Sequence, residues 1–261
     1  MKFRNVFLII SVAFGLFSGY SYVIGADTKK EFKNFKADQV AEIEEIAANL
    51  IAKKPELIEA ALRKSMEEKE KMQLTVQKEA IAKFSDSLFR DARDAVEGPA
   101  NGKLTLVAFI DPYCGHCKHM EGEIKKLLAE RKDFKVVYKP VAMLGKESEK
   151  TACEMIAANK QGKFKPYQES LAKSAAANQE ERMVLAKDCG LNTKQLLTDA
   201  KNADVQKQLK DTMFLASKLQ LNGVPAMIIS KDGKTGEFIG GGVPKDALNK
   251  MLDAVANTTS A

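Results

Sequence analysis

A nearly continuous run of apolar residues, 104–110 (LTLVAFI), stands just before a Cys-X-X-Cys motif at 114–117 (CGHC). Such a short run, rich in residues that favour β-structure, predicts a strand that is buried on both faces. The residues from Cys114 to about Arg131 have a helical pattern. Any fold for this chain must therefore bring a pair of cysteines to the point where a buried strand gives way to a helix.

This position predicts different roles for the two cysteines. The first turn of a helix has unpaired N–H groups and a partial positive charge, and both stabilise a thiolate at Cys114. Cys117 is one turn further along and is expected to be more buried and less acidic. We therefore predict that Cys114 is the nucleophile and that Cys117 resolves mixed disulfides, the pair alternating between a redox-active disulfide and a dithiol. His116, when protonated, would add positive charge beside Cys114 and favour the dithiol.

Three other uses of the motif compete with redox catalysis. A structural zinc site needs four ligands, yet both histidines, His116 and His119, lie in or beside the same helical turn, and no second Cys-X-X-Cys motif follows. A purely structural disulfide across two residues would be strained. Copper binding by two thiolates is a further alternative. Redox catalysis is the preferred interpretation, with no metal and no cofactor.

The N-terminus predicts export. Lys2 and Arg4 precede an uncharged stretch, 5–26, whose apolar centre is typical of a signal peptide; residues 1–26 would be removed or would stay as a membrane anchor. Either way the remaining chain lies in the periplasm or cell envelope, where disulfides are stable. The net charge of +6 comes from basic residues interleaved with acidic ones, which indicates a solvated surface and not a nucleic-acid interface.

The other two cysteines, Cys153 and Cys189, are expected on helices of one helical segment. An exported protein that introduces disulfides would rarely leave two nearby thiols unpaired. A structural disulfide between them is therefore the preferred prediction, and it would stabilise the segment by closing a loop. Two buried free thiols are the alternative.

The rest of the chain divides into a helical region and an α/β region. Residues 27–97 carry apolar side chains at helical spacing between many charges, and helices this thin must pack on the main domain or on another copy of the chain. Gly and Pro at 97–103 (EGPANGK) predict the boundary, so the α/β region is 98–261. Further strands are expected at 134–140, 226–230 and 237–241, a helical lobe at about 146–218, and a closing helix at 244–256.

Several separated motifs resemble those of one family. Val224-Pro225 stands directly before a strand, where the thioredoxin superfamily keeps a cis-proline facing its Cys-X-X-Cys motif. The segments 162–171 (GKFKPYQESL) and 186–192 (AKDCGLN) resemble the helical lobe of DsbA-like oxidoreductases, and 40–64 resembles the N-terminal extension of their Com1-like branch. The chain is thus similar to DsbA-like thiol:disulfide oxidoreductases over about residues 35–257. The resemblance implies an α/β thioredoxin fold with an inserted helical lobe, preceded by an N-terminal helical extension.

The resemblance also implies roles and partners. Gly115 and His116 form the dipeptide that tunes the redox potential, and Val224 with cis Pro225 forms the wall that binds a substrate strand. We expect Tyr113 to flank that groove or to be a plain rim aromatic. Relatives assemble through the N-terminal extension, so a homo-oligomer is expected, with a dimer favoured. The substrates would be reduced or misfolded exported proteins, and a DsbB-like or DsbD-like membrane protein would reset the site.

Departures from the family leave the direction of the reaction open. The DsbA oxidases carry a buried glutamate six positions before the first cysteine, where this chain has Ala108; Asp111 is nearer the motif, but its side chain need not point inward. The Gly-His dipeptide is more similar to that of protein disulfide isomerase than to the Pro-His of DsbA. We expect a reduction potential near or between about −180 and −120 mV. Formation and rearrangement of disulfides is the leading prediction; an isomerase or reductase kept reduced by a membrane partner, and a copper-binding thiol chaperone, are the alternatives.

Overall fold

The computed structural model of the protein describes residues 35–174 and 178–258. The predicted signal peptide, 1–26, and the first part of the predicted helical extension lie outside these residues. Among the described helices, none is both long enough and apolar enough to cross a bilayer.

The chain divides into two compact units after Ala60. The first unit contains α1 (Ala37–Lys53) and the first turns of α2 (Pro55–Lys83), which Pro55 begins as the sequence predicts. Most large apolar side chains of this unit are exposed in the single chain, whereas Val40 is half-buried. The exposed ones are Phe35, Ile43, Ile46, Leu50, Ile51, Leu57 and Ile58.

The second unit begins earlier than the Gly and Pro at 97–103 suggested. The later part of α2 and the short helix α3 (Ser85–Phe89) belong to it, because Ile81, Leu88 and Phe89 are buried in one of its two hydrophobic clusters. The 29-residue helix α2 therefore runs through the division, with no break to mark it in the sequence.

A five-stranded mixed sheet forms the centre of the second unit. Its strands are β1 (Ala95–Glu97), β2 (Leu104–Ile110), β3 (Phe134–Pro140), β4 (Ala226–Ser230) and β5 (Glu237–Gly240), in the spatial order β1-β3-β2-β4-β5. Only the β2–β3 pair is parallel within this sheet. The expected α/β class and the four longer strands are confirmed, whereas β1 was not predicted.

Helices cover both faces of the sheet because β2 alternates its side chains between two apolar cores. Leu106 and Ala108 face one cluster together with residues of α4 (Gly115–Glu130) and α10 (Lys245–Asn257), and Val107 and Phe109 face the cluster that holds α3. All seven residues of β2 are buried, as a strand covered on both faces requires.

The helical lobe is inserted between β3 and β4, at the predicted position. It consists of α5 (Lys146–Lys160), α6 (Phe164–Lys173), α7 (Gln179–Asp188), α8 (Thr193–Asp199) and α9 (Ala203–Lys218). Its interior contains an ion pair as well as apolar side chains, since the fully buried Arg182 makes two hydrogen bonds to Glu154, at 2.8 and 3.0 Å. Tyr167 donates a third hydrogen bond to the same carboxylate, so the buried charges are compensated.

Candidate active site

Cys114 lies at the end of the turn that follows β2 and caps the N-terminus of α4. Its backbone N–H donates to the carbonyl of Asp111 at 3.1 Å, and its sulfur accepts a hydrogen bond from the backbone N–H of Cys117 at 3.2 Å. The sulfur thus occupies the place where a serine or aspartate oxygen usually caps a helix. The unpaired N–H groups and the positive end of the helix dipole therefore act directly on the sulfur that is expected to carry the negative charge.

The segment before β4 forms the wall opposite Cys114. The Val224–Pro225 peptide bond is cis, and the Cys114 thiol donates to the carbonyl of Val224 at 3.3 Å. The structure therefore brings together residues that are 110 positions apart in sequence, as the resemblance implied. Their roles in binding and exchange remain predictions.

The two thiols differ in their surroundings. Both are buried, with 7% of Cys114 and 4% of Cys117 exposed, and both are free thiols in this structure. Burial, and secondarily the neighbouring Cys114, raises the pKa of Cys117 well above its usual range. A Cys117 thiolate is thus costly to form, which suits a thiol that reacts second, inside the protein.

The dipeptide between the cysteines faces solvent. Gly115 and His116 are exposed, and a side chain at Gly115 would meet no atom within 4 Å. The glycine is therefore not required by packing within this chain. Its absence of a side chain leaves the surface next to Cys114 open to an approaching polypeptide.

Asp111 points inward and anchors the loop that carries the motif. Its carboxylate accepts four hydrogen bonds, from the backbone N–H groups of Tyr113, Met143 and Leu144 and from the hydroxyl of Ser148, at 2.8 to 3.1 Å. Both oxygens are engaged, so this acid holds the turn before Cys114 against the start of the helical lobe. The sequence placed Asp111 near the motif but gave no sign of these partners.

Tyr113 connects the site to the interior of the lobe. Its hydroxyl accepts a hydrogen bond from Arg182 at 3.1 Å, and Arg182 is held by the buried carboxylate of Glu154. The side chain is half-buried and fixed at its outer end, which fits either a groove wall or a rim aromatic. Arg182 was not singled out from the sequence, because a lone arginine in a charged helix carries no signal of burial.

The second pair of cysteines does not form the disulfide that the sequence suggested. Cys153 and Cys189 are both free thiols. The sulfur of Cys153, on α5, accepts a hydrogen bond from Gln206 on α9, whereas the thiol of Cys189, at the end of α7, donates to the carbonyl of Pro166 on α6. The two side chains have separate neighbours, so the alternative of two unpaired thiols describes this structure. Burial raises the pKa of Cys153 to about 11, which makes it an unreactive core thiol.

No group of three or more histidine, cysteine, aspartate or glutamate side chains stands together as a metal site within residues 35–174 and 178–258. In this part of the chain, copper binding at the motif would therefore rest on the two thiolates of Cys114 and Cys117 alone.

Comparisons with known proteins give a family and several similar structures. Residues 105–253 match the DSBA-like thioredoxin domain. A thioredoxin-like oxidoreductase from Silicibacter pomeroyi is 29% identical, with a TM-score of 0.62 over 67% of this chain and 98% of that one. The thiol-disulfide exchange protein alpha-DsbA2 from Wolbachia pipientis is 24% identical, with a TM-score of 0.62 over 69% of this chain and 96% of that one. A search of curated proteins found no significant match.

One similar structure extends beyond the second unit. Proteus mirabilis ScsC, in a structure described as a transitional conformation, is 23% identical, with a TM-score of 0.61 over 87% of this chain and 99% of that one. The covered share is larger than the 61–261 unit alone, so the likeness in fold includes part of the N-terminal helices.

Proposed function

The chain belongs to the family of DSBA-like thioredoxin domains, and from this premise we propose that it is an exported thiol-disulfide oxidoreductase that forms and rearranges disulfides in other exported proteins. One observation carries the proposal. The sulfur of Cys114 caps a helix N-terminus, lies 3.3 Å from the carbonyl of Val224 beside cis Pro225, and has Cys117 buried one turn behind it.

The geometry supports exchange in two steps. In the oxidised enzyme a substrate thiolate attacks the sulfur of Cys114, and the Cys114–Cys117 bond breaks with Cys117 leaving as a thiolate. A second substrate thiolate then attacks its own partner sulfur in the mixed disulfide and releases Cys114 as a thiolate. Two substrate thiols have lost two electrons and two protons, and the enzyme pair has gained two electrons.

The wall at Val224 supports recognition of an extended polypeptide. Its carbonyl faces Cys114, where the main chain of a substrate strand would run past the sulfur that it attacks. Main-chain hydrogen bonds to such an edge give affinity with little dependence on the substrate's side chains. Reduced or misfolded exported proteins of many sequences are therefore the proposed substrates, and a DsbB-like or DsbD-like membrane protein is the proposed redox partner.

The contacts of the dithiol favour net oxidation. The N–H of Cys117 and the helix N-terminus both stabilise negative charge on Cys114, and this stabilisation exists only when the disulfide is open. A stabilised reduced form makes the disulfide a stronger oxidant. We therefore place disulfide formation first and rearrangement second.

The exposed apolar side chains of the first unit support assembly. A second copy of the chain is the proposed partner, because these side chains recur at helical spacing on two helices and the single chain leaves them in solvent. A homo-oligomer, with a dimer favoured, would place two or more exchange sites in one particle and thereby favour rearrangement of misfolded substrates.

The experiment is a trap of the mixed disulfide in the full chain. With the oxidised wild type, a reduced protein substrate is expected to emerge oxidised. In Cys117→Ser, activated with an external disulfide at Cys114, a substrate that carries a single cysteine is expected to accumulate as a covalent complex, because neither Cys117 nor a second substrate thiol can attack the mixed disulfide. Cys114→Ser should show neither reaction. Equal turnover by Cys114→Ser and wild type would overturn the proposal, and Cys153→Ser is the matched control that should retain full turnover.

A further inference from the structure

A small cavity lies directly behind the resolving cysteine. Its volume is about 20 Å³, and Cys117, Glu121 and Gln168 line it together with Asp111, Lys118 and five apolar residues. Glu121 follows Cys117 by four residues on α4, so the two side chains point along the same face of the helix, one turn apart. A cavity of this volume holds about one water molecule when polar groups line it.

The polar atoms around this cavity have unused hydrogen-bonding capacity. Within residues 35–174 and 178–258, four buried side-chain nitrogen or oxygen atoms have no hydrogen-bond partner. Three of the four belong to this cluster: Oε1 of Glu121 and both amide atoms of Gln168. Unpaired buried polar atoms are rare and cost free energy, so three of them beside a water-sized cavity indicate a site built for a bridging water.

Glu121 is in an environment that lets it exchange a proton near neutral pH. Only 8% of the residue is exposed, and this burial raises the pKa of its carboxyl group to about 7. Lys165 opposes the shift, but its ammonium lies 3.6 Å from Oε1 of Glu121 and makes a shorter ion pair, 2.9 Å, with Glu97. Charged or titratable groups lie around Glu121 on several elements. They are Asp111 in the turn after β2, Lys165, Glu169 and Lys173 on α6, Glu97 on β1, Tyr138 on β3, and Lys118 and Lys125 on its own helix.

Cys117 needs a group of this kind. Its raised pKa means that the thiol must lose its proton to a nearby base before it can attack a mixed disulfide at Cys114. The position six residues before the motif holds Ala108, which cannot accept a proton, and both oxygens of Asp111 are engaged by four donors. Glu121 lines the same cavity as Cys117, and its Oε1, although 3.6 Å from the Lys165 ammonium, has no hydrogen-bond partner.

We propose that Glu121, through the cavity that it shares with Cys117 and Gln168, accepts the proton of the Cys117 thiol during ring closure and returns it when Cys117 leaves as a thiolate. Gln168 is a positioning residue that orients the bridging water. The inference rests on the proposed function, since it concerns the second thiol of the same exchange site.

Oxidation of the Cys114–Cys117 pair by an external disulfide conserves bonds, electrons and protons. The Cys114 thiolate attacks one sulfur of the external disulfide, a mixed disulfide forms, and one external thiolate leaves. The proton of Cys117 then passes to the Glu121 carboxylate. The Cys117 thiolate attacks the sulfur of Cys114, the Cys114–Cys117 bond forms, and the second external thiolate leaves. Cys114 and Cys117 have lost two electrons and the external disulfide has gained them.

The test is the pH dependence of ring closure in the full chain. Reduced protein is mixed with oxidised glutathione, the reaction is quenched at intervals by acid and alkylation, and the two steps are followed as the appearance and disappearance of the mixed disulfide. In the wild type the rate of ring closure should show a break near pH 7, where Glu121 loses its proton. In Glu121→Gln the break should vanish and the rate at neutral pH should fall on the order of 10²-fold, as expected for loss of a general base. Glu121→Asp should restore the break at a lower rate.

Glu169→Gln is the matched control. It removes a carboxylate that contributes to the same charge cluster but does not line the cavity behind Cys117. The break should persist in this variant. A break retained in Glu121→Gln, or lost equally in Glu169→Gln, would overturn the role of Glu121. Formation of the mixed disulfide reports on Cys114 alone, so its absence in the wild type would refute the exchange function and not the proton transfer.

A measurement on the wild type keeps the proposal testable if Glu121→Gln does not fold. The infrared difference between reduced and oxidised protein should contain the carbonyl band of a protonated carboxyl group that titrates near pH 7. Among the described residues, Asp94 is the other carboxyl group whose pKa is raised by burial, to about 6. It pairs with Lys139, does not line this cavity and should cancel in the difference. A difference spectrum without a titrating carboxyl band would contradict the proposal.

Discussion

At the scale of single residues, Asp111 determines how firmly the motif is held. Replacing it by Asn keeps the size of the side chain but turns one acceptor oxygen into an amide donor that faces buried N–H or O–H groups. Each buried donor left without an acceptor costs about 1–3 kcal/mol, so Asp111→Asn should lower the free energy of unfolding by roughly 2–5 kcal/mol. Urea denaturation of the reduced protein measures the change.

Ser148→Ala is the control for this prediction. It removes one of the four hydrogen bonds to Asp111 and leaves the others, so a loss of about 1 kcal/mol is expected. If Asp111→Asn were no more destabilising than Ser148→Ala, the carboxylate would not be the anchor of the loop.

Individual side chains are also where sequence reasoning reached its limit. The placement of Cys114 and Cys117 at the start of α4 was predictable because a motif and a helix N-terminus are both local features of the sequence. The inward orientation of Asp111, the burial of Arg182 and the cavity at Glu121 depend on the packing of the lobe against the motif, and that packing joins residues far apart in the chain. Cys153 and Cys189 show the same limit, since their presence on one lobe did not determine which neighbours each sulfur has.

At the scale of elements, long sequence patterns predicted where strands and helices lie, and short ones did not. The strand β2 and the bounds of the inserted lobe follow from long apolar or helical patterns with clear ends. The strand β1 has three residues, Ala95 to Glu97, and exists because the edge of β3 pairs with it, so no local pattern indicates it. The division after Ala60 was missed because it lies inside one continuous helix, α2, and no break in the helical pattern marks it.

The exposed apolar side chains of α1 (Ile43, Ile46, Leu50 and Ile51) lead to a prediction about assembly. Ile46 and Leu50 lie one turn apart on this helix and are 60% and 47% exposed in the single chain. If another copy covers them, the double variant Ile46→Glu and Leu50→Glu should be monomeric, because two charges would be buried in an apolar interface. Sedimentation velocity over a range of concentrations gives the oligomeric state.

Glu45→Gln serves as the control for assembly, since it alters a charged, exposed position of the same helix without adding charge among these apolar side chains. It should assemble like the wild type. The wild type and both variants should retain thiol-disulfide exchange with a small-molecule disulfide, because Cys114 lies in the second unit. A wild type that sediments as a monomer at every concentration would refute the assembly.

At the scale of the whole molecule, the redox state of one bond should control global stability. Opening the disulfide allows Cys114 to accept the N–H of Cys117 and to interact with the helix N-terminus, and these interactions are lost when the bond forms. By linkage, an oxidising disulfide is one whose folded protein is more stable when reduced. We therefore expect the reduced protein to unfold at higher urea concentration than the oxidised protein, the reverse of a structural disulfide.

Equilibration with glutathione provides an independent measure of the same free energy. A potential between about −180 and −120 mV is expected, and the stability gap between the two forms should correspond to about 1.4 kcal/mol for every 30 mV that separates the folded pair from the unfolded one. Cys153→Ser should leave both quantities unchanged, since that thiol is unpaired in the lobe. A potential of about −270 mV, together with an oxidised form more stable than the reduced one, would make this protein a reductase. In that case the stabilisation of the reduced form by the helix N-terminus would be smaller than the stabilisation that the disulfide provides by restricting the unfolded chain.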